Sequence, residues 1–243
     1  MKHKHLLWPL SFLVVYLLIV LPYRPIIFKE GRGVQNPLAH YQFSEKYFDE
    51  AEIRAALPQL KNLYGSNKVV PPAYELHFYT ALSFYPNLRN AHIHFHSRDL
   101  PTSMRAKPAN SSLLTHQRRY CIFINDQSTE VVDLSRANFT ELTGCIIHEL
   151  AHIQDYESRS NGGIIWTGLQ YLLSQTFKSK LEKKTDRIAA QHGGGYYLYL
   201  FTDFVFERAA AAEDYLENKK QNYYTPDQLL QLHQETSQRD GLN

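Results

Sequence analysis

The chain carries the segment CIIHELAH at residues 145–152, within a longer stretch of helical periodicity from about Asn138 to Tyr156. Residues four apart on a helix project from the same face, so His148 and His152 can bind one cation together. Neutral imidazole is a common zinc ligand, and Glu149 points beside that face, where it can reach a water molecule. The segment therefore predicts a core helix with a metal site on one side.

A catalytic zinc site uses three protein ligands and leaves one position open for water. Glu182 is the best candidate for the third ligand, and Asp186 follows it by four residues on one face of a predicted helix from about Ser179 to His192. If Glu182 binds zinc, Asp186 is placed to accept the second ring N–H of His148 or His152. Such a contact sets the tautomer of the ligand and raises its basicity.

Alternatives stay open for these side chains. Glu182 could belong to a solvated, charged helix face, as its lysine neighbours suggest. Asp155 is a competing third ligand, although it lies about 10 Å along the helix from His148 at 1.5 Å per residue. The alternating stretch Ala91–His96 predicts a half-buried strand with three histidines on its wet face. These histidines, either exposed side chains or a second metal site, are His92, His94 and His96.

The HELAH segment followed by a helix reading E-x-x-x-D resembles the gluzincin branch of HExxH zinc metallopeptidases. Within that branch it is similar to bacterial membrane-anchored proteins that share a strand of the RYCIFIN type, the HELAH helix and a later ETDR-like segment. The resemblance covers about residues 90–197. The resemblance implies that His148, His152 and Glu182 bind zinc and that Glu149 is the general base. It also implies that Asp186 contacts one of the histidine ligands.

The sequence departs from the family pattern in three respects. The HELAH and E-x-x-x-D motifs are closer together than in some gluzincins. Lys184-Thr185 replaces the acidic-Ala pair that often precedes the aspartate, and no counterpart is found for a transition-state donor. His192, Tyr196 and Tyr197 are candidates for that donor, and the sequence does not choose among them.

The order of the patterns is helices, then a small sheet, then mostly helices, which predicts an α+β fold. The resemblance implies more specifically a zincin-like catalytic domain with a small sheet packed on the HExxH helix. The implied function is hydrolysis of peptide bonds by a zinc-activated water, with Glu149 as general base. Two alternatives are a non-catalytic, membrane-tethered binding or regulatory module and a zinc hydrolase of non-peptide amides.

Local patterns predict the remaining elements. The expected helices are Ser44–Leu57 ended by Pro58, Pro71–Phe84, Ile164–Phe177, Tyr196–Leu216, and a last short helix capped by Thr225 and Gln228. The expected strands besides Ala91–His96 are Arg119–Asn125 and Glu130–Leu134. Arg119–Asn125 is also our candidate for the edge along which an extended peptide substrate would pair.

The N-terminus predicts a membrane anchor. The stretch His5–Tyr23 has no acidic, lysine or arginine side chain, and it is about long enough to cross a hydrocarbon core of roughly 30 Å. No Ala, Gly or Ser lies between Ser11 and Gly31, so a signal-cleavage site is not expected. We therefore expect an anchor over residues 1–28, a connector over 29–43 and a metallopeptidase domain over 44–243, outside the cytoplasm because short N-terminal anchors commonly export the domain attached to them.

Composition narrows the choice of partners. The 243 residues are 44% hydrophobic and 21% charged, which predicts one globular catalytic domain. A net charge of +2 and the lack of basic runs interleaved with aromatic residues predict no nucleic-acid partner. The expected partners are a peptide or protein substrate and the lipid bilayer. Cys121 and Cys145 are spaced wrongly for a zinc knuckle, and they either pair in an oxidising compartment or stay free and buried.

Overall fold

The computed structural model describes residues 50–109, 112–113, 117–127 and 129–240. The domain is α+β, with a small mixed sheet and a mostly helical C-terminal half. Its elements in chain order are α1 (Glu50–Tyr64), β1 (Lys68–Val69), α2 (Glu75–Leu82), β2 (His92–Ser97), β3 (Met104–Pro108), β4 (Arg119–Ile124), α3 (Phe139–Glu157), α4 (Asn161–Leu173), α5 (Gln175–Gln191), α6 (Gly195–Glu207), α7 (Glu213–Asn222) and α8 (Pro226–Asp240).

The predicted anchor and the first six residues of the predicted helix Ser44–Leu57 lie outside the described residues. Within the described ranges, no helix combines the length and the apolar character needed to cross a bilayer.

The four strands form one sheet in the order β1-β2-β4-β3. β1 and β4 both run parallel to β2, whereas β3 is antiparallel to β4, with Ala106 opposite Ile122. Side chains alternate between the faces of a strand, and Ile93, Phe95 and Ile122 are buried on the face turned to the core. The strand order makes β4 a central strand paired on both sides and β3 an edge strand.

The helix α3 lies at the centre of the packing, where it contacts α2, α5, α6 and β3. Asn138 caps its N-terminus by accepting a hydrogen bond from the Glu141 N–H, while the Glu141 carboxylate accepts one from the Asn138 N–H. This reciprocal pair fixes where the helix starts. On the core side Ile147 and Leu150 are fully buried. The start and one face of α3 are thus set before any ligand is considered.

The helix α1 continues through Pro58, so the predicted end at that residue is wrong. A proline inside a helix loses one backbone hydrogen bond and costs about 3 kcal/mol. Ile53, Leu60 and Tyr64 are buried on both sides of the proline. Their packing against α2 and the core outweighs the local cost, which sequence punctuation alone does not reveal.

Two further predictions fail for one shared reason. The segment expected as the strand Glu130–Leu134 is irregular, and the expected helix Tyr196–Leu216 is broken into α6 and α7. The Asp133 N–H donates to the Ala209 carbonyl, and the Ala212 N–H donates to the Val131 carbonyl. These long-range hydrogen bonds join the two segments to each other, so neither forms the expected regular element. Ala210, in the loop between α6 and α7, has φ 48°, which is not a helical value.

The boundary between α4 and α5 lies at Ser174, several residues earlier than the expected break after Phe177. The Ser174 side chain accepts a hydrogen bond from the Phe177 N–H, which makes it the N-cap of α5. At the other end of α5, Gly193 adopts φ 87°, a conformation that favours glycine and stops the helix as expected. The predicted capping pair Thr225 and Gln228 opens α8 as expected.

We predict that Gly144→Ala destabilises the domain because α3 and α6 cross closely at this residue. A Cβ atom added at Gly144 would lie 2.0 Å from the carbonyl oxygen of Tyr197, which belongs to the backbone of α6. Overpacking of this kind costs about 1–3 kcal/mol. The free energy of unfolding of the purified full chain, from urea titration followed by circular dichroism, measures the loss.

The matched control is Gly168→Ala in α4, where an added Cβ meets no atom within 4 Å. This change should raise the free energy of unfolding by about 0.5–1 kcal/mol, because alanine restricts the unfolded chain more than glycine does. Equal effects of the two substitutions would contradict the close helix crossing.

Candidate metal centre

The helix α3 carries three polar side chains that are buried on the face turned towards α5 and β3. His148, Glu149 and His152 are between 6% and 9% exposed. The four-residue spacing places the two imidazoles on the same face, with ring centroids 4.8 Å apart. Buried polar side chains require partners, so the neighbouring elements decide what this face does.

The helix α5 brings Glu182 against both histidines. Its Oε2 atom lies 3.3 Å from the Nε2 atom of His148 and 3.3 Å from the Nε2 atom of His152. One ligand atom from each residue falls within 4.8 Å of the others, and no other such group of three is found among the described residues. The structure therefore brings together the three side chains that the sequence predicted as ligands.

Asp186 lies one turn further along α5 and orients His148. The Asp186 Oδ1 atom is 2.9 Å from the His148 Nδ1 atom, and Asp186 Oδ2 accepts a hydrogen bond from the Tyr224 N–H. An ionised carboxylate only accepts hydrogen bonds, so Nδ1 of His148 carries a proton, and when the ring is neutral Nε2 presents a lone pair to Glu182. Of the two histidines, His148 is the one that Asp186 contacts.

Thr185 orients the second histidine. Its hydroxyl has one proton, which it donates to the Leu181 carbonyl at 3.0 Å. The same hydroxyl oxygen lies 3.2 Å from the His152 Nδ1 atom, so it accepts the N–H of that ring. The Nε2 atom of His152 therefore also presents a lone pair to Glu182. Thr185 therefore has a definite contact with one of the two histidines.

Glu182 has two oxygen atoms with different surroundings. Tyr171, from α4, donates its hydroxyl proton to Oε1 at 2.7 Å. Oε2 is buried and has no hydrogen-bond partner among the described residues. When both imidazoles are neutral, three acceptor atoms converge on one point without a donor: this oxygen and the two Nε2 atoms. This donor set and its unsatisfied oxygen fit a divalent metal ion such as zinc, which binds imidazole nitrogen and carboxylate oxygen.

The pKa values of His148 and Glu182 reflect the close approach of these side chains to one another and to Asp186. Burial alone would lower the pKa of His148, but the hydrogen bonds and negative charge of Asp186 and Glu182 raise it to about 10. Burial acts to raise the pKa of Glu182, but the two imidazoles hold it well below its usual value. The pocket therefore favours positive charge between these side chains, whether a proton or a metal ion carries it.

Glu149 links the cluster to the edge of the sheet. Its Oε2 atom accepts a hydrogen bond of 2.5 Å from the Ala106 N–H on β3. The Ser103 carbonyl and the Ala109 N–H, on either side of β3, bond to β4 and the residue after it. Because partners alternate along an antiparallel strand, the main-chain groups of Met104 and Ala106 face away from β4. They face the same space as the carboxylate of Glu149.

Two cavities meet at the cluster. A small one of about 20 Å³, roughly the space of one water molecule, is lined by His148, Glu149 and Asp186 together with Lys219 and Tyr223. A larger cleft of about 590 Å³ is walled by β3, α3, α4 and α5, and reaches Glu149, His152 and Glu182. Clefts of roughly 300–1,000 Å³ accommodate most small-molecule and peptide side-chain ligands.

Several residues of this site were not predicted from the sequence. Tyr171, Lys219 and Tyr223 come from helices or turns whose sequence carries no metal-site pattern. Lys219 lies over the ring of Tyr223, 3.8 Å from its centroid, and the Tyr223 ring is 5.6 Å from that of His148. Burial acts to lower the pKa of Lys219, but neighbouring acidic groups raise it, so this side chain is a cation beside the cluster. Thr185 could have been found, since it shares a helix face with Glu182 and Asp186.

The expected substrate edge is corrected. Arg119–Asn125 contains β4, which is paired with β2 on one side and β3 on the other, so no substrate backbone can pair with it. β3 was not predicted from the sequence because it has only five residues and ends in proline. The prediction rested only on the fact that this strand precedes the HExxH motif in the sequence. In the sheet, β3 rather than β4 has an unpaired edge.

The expected transition-state donors are also corrected. His192 contacts the Phe84 carbonyl, Tyr196 stacks on Tyr199, and Tyr197 packs against Phe84. None of the three lines either cavity at the cluster in the described part of the chain.

The weighed alternatives have other roles. Asp155 forms ion pairs with Lys184 at 2.6 Å and Arg159 at 2.8 Å, and stands apart from the three-residue cluster. His92, His94 and His96 lie on the more exposed face of β2, where His96 stacks on Phe123. Cys121 and Cys145 are both free.

Comparisons of the chain with models of protein families, with curated proteins and with solved structures found no match.

We predict that Thr185→Val weakens divalent-metal binding by roughly 10–100-fold, the loss expected on removal of a partner behind a histidine ligand. Valine keeps the shape of threonine but cannot accept the N–H of His152, so that ring loses its fixed orientation. Competition with a chromophoric chelator for Zn²⁺, on the purified full chain, gives the affinity.

The control is Thr185→Ser, which retains the hydroxyl and should bind metal nearly as tightly as the unaltered chain. Metal affinity that is the same in the valine and serine variants would contradict the orienting role of Thr185.

Proposed function

We propose that this chain is a zinc-dependent peptidase with a zincin-like domain. The observation that carries the proposal is the convergence of His148 Nε2, His152 Nε2 and the unpartnered Glu182 Oε2 in a buried pocket. Three protein ligands leave one coordination position free, as in catalytic rather than structural zinc sites. The antiparallel edge strand beside the HExxH helix further supports the zincin-like assignment.

His148, His152 and Glu182 would hold the ion, with Asp186, Thr185 and Tyr171 behind them. When bound, zinc would supply Lewis acidity that activates water and polarises a carbonyl group. The hydrogen bonds from these three side chains hold each ligand in one orientation. Little conformational freedom is therefore lost when the site is filled.

Glu149 is the proton carrier in this proposal. Its carboxylate lines both cavities, so it can contact a water molecule on one side and a substrate amide on the other. It would take a proton from the attacking water and deliver it to the leaving nitrogen as the carbon–nitrogen bond breaks. The hydroxyl oxygen remains on the new carboxylate product, so the reaction is a hydrolysis that needs no further reactant.

β3 is the proposed edge for substrate binding. The outward main-chain groups of Met104 and Ala106 line the large cleft, where an extended peptide can add as a further strand. Such pairing would hold a scissile bond next to Glu149. It also requires the Ala106 N–H to exchange its bond to Glu149 for one to the substrate, which would free the carboxylate for proton transfer.

Tyr223 and Lys219 are the proposed donors to the carbonyl oxygen, which gains negative charge during the attack. Both line the small cavity with Glu149, and the ammonium group of Lys219 lies against the Tyr223 ring. A hydroxyl and a cation beside developing negative charge stabilise it more strongly in a buried site than in water.

The test is cleavage of a broad peptide library by the zinc-loaded full chain and by Glu149→Gln. We expect cleavage by the unaltered chain and a loss of about 10²–10⁴-fold in rate in the variant, because the amide cannot accept the proton. Both proteins should contain the same amount of zinc by elemental mass spectrometry. Products identified by mass spectrometry give the cleaved bonds.

Zinc binding without any peptide cleavage would contradict the peptidase assignment and favour a non-catalytic module. Cleavage confined to non-peptide amides, offered in parallel, would contradict it in favour of another amide hydrolase. N-methylation of successive amides in a cleaved peptide tests the role of β3, since strand pairing predicts sensitivity at alternate positions. Equal tolerance at all positions would contradict that role.

A further inference from the structure

The outward face of α4 is apolar although it is exposed. Apart from Val69, the large hydrophobic side chains that are exposed among the described residues all belong to this helix. At about 100° per residue they occupy one continuous arc of roughly 120°. These five residues, named here the apolar stripe, are Ile165, Trp166, Leu169, Leu172 and Leu173, with exposed fractions from 45% to 81%.

The opposite face of α4 is already used by the domain. Ile164 and Thr167 are buried, Tyr171 donates to Glu182, and α4 packs against α5. The apolar stripe is therefore not part of the core of this domain. An exposed contiguous apolar surface of this kind marks contact with another molecule or with a membrane.

The length and composition of α4 favour a lipid surface. The helix has 13 residues and none of them is charged. At 1.5 Å per residue it is about 20 Å long, too short to cross a hydrocarbon core of roughly 30 Å. A helix with Trp and Leu on one face can instead lie in the plane of the interface, with Trp166 at the level of the headgroups.

Positive charge lies around the large cleft, which the apolar stripe borders. Leu172 belongs to the stripe and also lines the large cleft. The cleft is lined by Arg105, Lys107 and Lys178, and its acidic side chains are Glu149 and Glu182. Both carboxylates are buried at the candidate metal centre, whereas Arg105 is exposed and Lys107 and Lys178 are half-buried, so the accessible charge around the cleft is positive. Cations beside an apolar face complement a bilayer that contains anionic headgroups.

The sequence supplies a second reason to expect a bilayer nearby. Leu6–Leu21 is the core of the predicted anchor, and 28 residues, 22–49, separate it from α1. Fully extended, this length reaches about 100 Å at most, so it permits contact between α4 and the same bilayer. A tether of this kind raises the effective concentration of the surface, so weak intrinsic affinity suffices.

From these observations we propose that the apolar stripe of α4 docks on the surface of an anionic bilayer, lying along it rather than crossing it. The cleft wall formed by α4 is then held next to the headgroups. If the proposed peptidase function holds, the cleft receives peptide segments that lie at the membrane surface. Docking itself does not depend on catalysis and is tested without a substrate.

The test uses the fluorescence of Trp166 in the full chain. The sequence has two tryptophans, so Trp8→Phe leaves Trp166 as the single reporter. The protein is reconstituted into phosphatidylcholine vesicles with or without phosphatidylserine, in which a fraction of the lipid carries bromine near the top of its acyl chains. We expect a blue shift and strong quenching with the anionic lipid, and weaker quenching without it or at high salt.

The matched variant adds Leu169→Glu and Leu173→Glu, two residues of the stripe that do not line the cleft. It should restore unquenched emission at the wavelength of water-exposed tryptophan, with an unchanged zinc content as the measure of an intact domain. Trp166 that is exposed and unquenched in the starting protein would overturn the proposal. A blue shift that bromine does not quench, and that disappears on dilution to one chain per vesicle, would overturn it in favour of a second copy of the chain. Equal quenching with and without anionic lipid would contradict the role of charge.

Discussion

Two imidazole nitrogens and one carboxylate oxygen converge on a single buried point between α3 and α5, and the arrangement of the surrounding elements depends on this convergence. Three acceptors at such distances repel one another unless a proton or a metal ion lies among them, because burial removes the water that would otherwise separate them. The polar atoms around the point are bonded elsewhere: His148 to Asp186, His152 to Thr185, and the outer oxygen of Glu182 to Tyr171. The inner oxygen of Glu182, which faces both imidazoles, is left without a hydrogen-bond partner among the described residues.

This constraint also bears on where the edge of the sheet lies. α3 must keep one face on α5 for the ligands, so β3 packs beside Glu149 rather than above the histidines. An edge strand placed there leaves the cleft open along its length, and α4 closes the opposite wall. The outward face of α4 is apolar, so a surface that covers this face would also lie beside the wall of the cleft.

The sequence predicted the parts of this site whose geometry is local. His148, Glu149 and His152 lie within about one turn of one helix, and Glu182 and Asp186 within about one turn of another, so their spacing alone indicated that they share a face. The pairing of β3 with β4, the bonds from Val131 and Asp133 to the loop after α6, and the reach of Tyr171 to Glu182 join residues far apart in the chain or on separate helices. No local pattern encodes these contacts. The helix end predicted at Pro58 is wrong for a similar reason, because packing elsewhere offsets the cost of the proline.

The most direct measurement of the central claim is X-ray absorption at the zinc edge on the full chain, purified without chelator and loaded with one equivalent of zinc. A site made by His148, His152 and Glu182 predicts two imidazole nitrogens and at least one oxygen at about 2.0–2.2 Å. It also predicts that the spectrum loses one imidazole contribution in His152→Ala. A chain that takes up no zinc, or a zinc environment that is unchanged by that substitution, would contradict the assignment of these three side chains as the metal centre.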